Sequence, residues 1–106
     1  MRTSERRTRQ GDILNEMIQE QGMEPGHYTL FFVTGEGRYL PGLSEIEECS
    51  GCVLDDHGRV FSFWLGWDPI AERPALTEWE EETPDPAWAN VGEYQRARER
   101  LGLAAA

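Results

Sequence analysis

A chain of 106 residues with a formal charge of −10 has room for one hydrophobic core and not for two. Its 39% hydrophobic and 28% charged residues describe a folded domain, not a disordered one. The acidic balance argues against a nucleic-acid-binding body, the complete lack of lysine excludes Schiff-base and Walker-type lysine chemistry, and no apolar run approaches the ~18 residues of a membrane span.

The charge is unevenly spread. Residues 1–10 hold four arginines and one glutamate, +3, and the remaining chain holds six arginines and nineteen acids, −13. The first ten residues are thus a basic arm on an acidic body. From Asp12 onward Ile13, Leu14, Met17 and Ile18 recur at helical spacing, and Gly22 and Pro25 supply a stop, so a helix is expected over about residues 5–21. The segment 11–21 is too polar for the apolar part of a signal peptide, which makes the cytoplasm the expected compartment. In that compartment two cysteines suggest thiols or a metal rather than a structural disulfide.

His27–Val33 reads as a strand apolar on both faces. Thr34–Gly37 is expected to turn and Arg38–Leu40 to return, with Pro41-Gly42 closing the segment. Glu45–Leu54 is a further strand that Gly51 can interrupt with a bulge. In a regular strand Ile46, Cys52 and Leu54 share one face, and Cys49 and Val53 share the other. Asp55-Asp56-His57-Gly58 is a hairpin turn, and Val60–Trp67 is the most apolar strand, expected near the sheet centre. Ala75–Thr83 reads as an edge strand, Trp79 inward and Glu78, Glu80 and Glu82 on the opposite side. Asp85-Pro86 opens a C-terminal helix carrying Trp88, Val91, Tyr94 and Leu101, with Arg96, Arg98 and Arg100 near its end.

The fold class is therefore α+β: a single domain whose antiparallel sheet of three to five strands carries an N-terminal and a C-terminal helix. If both helices cover one face, the other keeps apolar side chains for a second copy to shield, so a homodimer is expected.

Three constellations carry possible chemistry. Cys49-x-x-Cys52 followed by His57 offers ligand types that zinc accepts, although strand residues three apart point to opposite faces and free cysteines are usually buried. A thioredoxin-type motif needs a helix after its cysteines, and a strand and turn follow here. The acidic row Glu78, Glu80 and Glu82 around Trp79, with the arm residues Arg6, Arg7 and Arg9, forms a candidate interaction surface. Trp64 and Trp67 could line a ligand pocket, against the plainer reading that an aromatic central strand is core. No serine sits in a nucleophile-elbow sequence, and Thr34–Gly37 lacks the helix a dinucleotide site requires.

No family motif matches residue by residue. The sequence is read as a small non-catalytic bacterial protein, a protein-interaction or self-associating module without a cofactor. The alternative is a small zinc-binding protein using Cys49, Cys52 and His57.

Overall fold

The computed structural model describes residues 3–104, with the side chains of residues 3–8 and 44 outside that description. Helix α1 (Thr3–Glu20) leads into four strands, β1 (Tyr28–Leu40), β2 (Leu43–Asp55), β3 (Val60–Asp68) and β4 (Arg73–Glu82). A 3₁₀ turn (Pro86–Asn90) and helix α2 (Gly92–Arg100) complete the chain. The strands form one antiparallel sheet in the order β1-β2-β3-β4. This is the α+β arrangement expected, with β3 inside the sheet and β4 at its edge.

The two helices lie on opposite faces of the sheet, which corrects the expectation that both share one. Leu14, Met17 and Ile18 of α1 pack with Ile46, Cys49, Val53, Phe63 and Leu65. Tyr94 and Ala97 of α2 pack with Phe31, Leu54 and Val60. Val53 and Leu54 are consecutive strand residues that pair with Phe61 and Val60, so their side chains leave opposite sides of the sheet. Each helix takes one side of that alternation.

Three local features depart from the sequence reading. First, Thr34–Gly37 does not reverse the chain. β1 continues to Leu40 and the reversal falls at Pro41-Gly42, where Gly42 has φ +72°. The Glu47 carboxylate accepts the Gly37 N–H, and a Cβ at Gly35 would come within 2.6 Å of the same carboxylate. The two glycines therefore let β1 swell around a cross-strand acid, and the register slips between Gly35 and Tyr39. A second slip, between Tyr39 and Leu40, accompanies the turning of Ile46 to the side of Cys49.

Second, the bulge near Gly51 belongs to β1. β2 pairs regularly with β3 from Cys49 to Leu54, whereas the β1 register shifts between Phe31 and Thr34 and Phe32 adopts φ +55°. That conformation is costly for an aromatic residue. It brings Phe31 and Phe32 together onto Trp88, with ring centroids 5.7 and 5.5 Å away. The Phe32 N–H is received by the Glu93 carboxylate at 2.8 Å. Gly51 serves close packing instead: a Cβ there would meet the Phe63 ring at 3.0 Å and the Val33 backbone at 3.1 Å.

Third, the C-terminal helix is split. Asp85 caps the 3₁₀ turn by accepting the Ala87 N–H at 2.8 Å, but Val91 is extended (φ −100°, ψ 115°) and α2 begins after it. Trp88 and Tyr94 still meet at 5.4 Å, on the same aromatic cluster.

Before Cys49, β2 has no β3 partner. There the Gln10 side chain stands in for a strand: its amide donates to the Glu47 carbonyl at 2.8 Å and its oxygen accepts the Glu47 N–H at 2.7 Å.

Candidate functional site

The expected ligand set does not come together. Cys49 is buried on the α1 side, where its sulfur accepts a long contact from Gln10 at 3.5 Å, and Cys52 faces the α2 side. His57 lies in the β2–β3 turn, five residues further on. Burial pushes the Cys49 thiol up to about 11 and raises Cys52 as well, the Gln10 bond only partly opposing the first shift. Both shifts favour the thiol over the thiolate, and the thiolate is the form that attacks as a nucleophile. Among the described residues no group of three or more His, Cys, Asp or Glu is placed to hold a metal ion.

Trp64 and Trp67 are also separated by the strand alternation. Trp67 packs against the α1 cluster. Trp64 lies on the other side, folded along the strand over Gly66, where a Cβ would meet its ring at 3.3 Å. They do not line a common pocket.

Trp79 turns to the α1 side, half-buried and stacked on Phe61 at 5.0 Å. Glu78, Glu80 and Glu82 pair with Trp64, Ser62 and Val60 of β3, which places all three on the α2 side. α2 covers only the Val60 end of that side. The remaining half-face presents Trp64, half-buried, between the acidic row and Ser50, with Ser62 Oγ donating to Glu82 at 2.9 Å and Ser50 Oγ to Glu36 at 3.3 Å. Among the described residues no arginine or histidine forms an ion pair with Glu78, Glu80, Glu81 or Glu82. Carboxylates elsewhere do find cations: Arg73 pairs with Glu20, Arg38 with Glu48, Arg59 with Asp55 and Arg9 with Glu45. Arg9 is thereby tied to its own body. The side chains of Arg6 and Arg7 lie outside the described residues.

A second polar region was hidden in the sequence. A cleft of about 210 Å³ opens where the α1–β1 loop meets the β2–β3 turn, between Met23, Glu24, His27, Asp56, His57 and Arg59. Its floor is Asp55, whose side chain is 4% exposed. Asp55 accepts the His57 and Arg59 N–H groups at 3.0 and 2.8 Å and the Arg59 Nε at 2.7 Å, so this buried acid is fully partnered. Above it His27 Nδ1 lies 2.6 Å from Asp56 Oδ2. The hydrogen bond and charge of Asp56 raise the His27 pKa, and His27 lowers that of Asp56. The turn sequence signals the Asp55 contacts, because aspartate commonly bonds backbone two residues on. Nothing in it signals a histidine 29 residues away.

Comparison with protein-family models, with curated protein sequences and with solved structures finds no match. No helix among the described residues is long and apolar enough to cross a membrane.

Proposed function

We propose that the protein is a non-catalytic interaction module that receives an extended, basic segment of a partner protein along β4. The observation supporting this reading is the row Glu78, Glu80 and Glu82 beside Trp64, without an ion pair among the described residues, on the half-face that α2 leaves open. β4 is an edge strand, so a fifth strand could bond to its free backbone groups, with alternate basic side chains falling over the acidic row. The same row disfavours pairing of β4 with β4 of a second copy, because like charges would lie opposite one another. The reason to expect a homodimer also weakens, since each face already carries a helix.

The test is a titration of a fluorescent peptide of alternating arginine and valine into the full chain and into E78Q/E80Q/E82Q. Three exposed ion pairs predict roughly tenfold weaker binding to the variant. For the wild-type chain, affinity should fall as salt rises. Equal binding by both proteins overturns the reading. Sedimentation of the chain alone separates this mode from self-association.

A further inference from the structure

We propose that residues 22–26 form a strap over the cleft, latched by the contact between His27 and Asp56 and loosened when His27 loses its proton. The strap has the parts such a device requires. Gly22 (φ +96°) and Gly26 (φ +83°) bound it, both in the left-handed region that glycine enters without strain. Among the described residues the one backbone bond into the segment from its C-terminal side runs from the His27 N–H to the Glu24 carbonyl, at 3.0 Å. Between the two glycines Met23 packs against the α1 cluster and lines the cleft.

The strap is fastened to the sheet at its C-terminal end by two bonds to one residue. The Asp56 N–H donates to the His27 carbonyl at 3.0 Å, and the Asp56 carboxylate meets the His27 ring at 2.6 Å. The remaining charged groups around His27 are Glu24, 4.0 Å from Nε2, and across the cleft His57, Asp55 and Arg59. Asp55 and Arg59 neutralise each other at 2.7 Å, while His57 Nε2 is 3.7 Å from the other Asp56 oxygen. The field at His27 is therefore set by two acids and favours its cation.

The pH dependence follows from the direction of each shift. His27 is raised above 6.5, so its share of the latch is complete below about pH 6.5 and is lost as pH rises through the folded-state value. Asp56 is lowered from 3.8, so its share is present above that pH and lost as pH falls through its depressed value. The latch is an ion pair in mildly acidic solution and weakens to a neutral hydrogen bond towards alkaline pH.

The test follows the methyl signals of Met23 and Met17 by NMR across about pH 5–9 in the full chain, together with the His27 ring. Met23 should shift with the His27 midpoint, above pH 6.5, while Met17 in the core stays still. In H27Q and in D56N the Met23 transition should disappear with Met17 unchanged, which also shows that the variants remain folded. A Met23 signal indifferent to pH, or a transition that survives in H27Q, overturns the proposal.

Discussion

The side of the sheet under α1 and the side under α2 solve the same problem differently. α1 lays aliphatic residues along β2, and its cluster reaches from Leu40 to Leu65. α2 is half as long, 9 residues against 18, and closes its side with aromatic rings. Phe31, Phe32, Trp88 and Tyr94 make five ring contacts with centroids between 4.7 and 5.7 Å. A short helix suffices where large flat side chains supply the area, but it leaves the rest of the face open. The open half is where the acids of β4 stand, without an ion pair among the described residues. Packing and the proposed binding surface divide one face of one sheet.

The largest test of that contrast is Phe31→Ala, which removes a buried ring touching three others. It should cost about 3–5 kcal/mol in urea unfolding. Ile18→Ala on the opposite side should cost about 2–5 kcal/mol, and the two losses should add, because the clusters are separate. A double variant that departs from additivity by more than ~0.5 kcal/mol would join the faces into one cooperative core.

Gly51→Ala probes the sheet between them. The new methyl must displace the Phe63 ring or the Val33 backbone, and a loss of about 1–3 kcal/mol is expected.

The cysteines report the faces separately. With iodoacetamide at about pH 8, Cys52, partly exposed, should react before Cys49, which is 2% exposed and raised to about 11. Both should react more than about tenfold faster in the unfolded chain, as mass spectrometry of the labelled peptides would show. Labelling of Cys49 first would mean that α1 opens more readily than α2. The smallest effect on stability is expected from E78Q/E80Q/E82Q, within about 0.5 kcal/mol by thermal melting, because no ion pair among the described residues is lost. A larger loss would make the acidic row part of the fold.

Much of the architecture was legible in the sequence because it depends on local signals. The stripe Ile13–Ile18, the Asp-Asp-His-Gly turn, the apolar run Val60–Trp67 and the acid alternation of β4 each specify an element over a few residues. The errors arose where a distant group changed the meaning of a local signal. Two glycines that read as a turn became a swelling of β1, since Glu47 of the next strand accepts the Gly37 N–H. Gly51 read as a bulge, and it is instead the gap into which Phe63 fits. Asp85-Pro86 opens a 3₁₀ turn instead of the expected helix, which begins only after the extended Val91. Of the candidate sites, the alternation placed Trp79 and the glutamates on opposite sides of β4 and already warned against Cys49 and Cys52 converging. The His27–Asp56 contact had no local trace.

The sequence by itself determined the α+β class, the order helix, antiparallel strands, helix, and which strand lies at the sheet edge. These follow from periodicity and turn chemistry within short windows. Only the tertiary structure decided that the helices take opposite faces, that half of one face stays open, and that His27 meets Asp56. Each of these depends on which distant residues share a side of the sheet, and a register shift can reverse that without altering any local pattern.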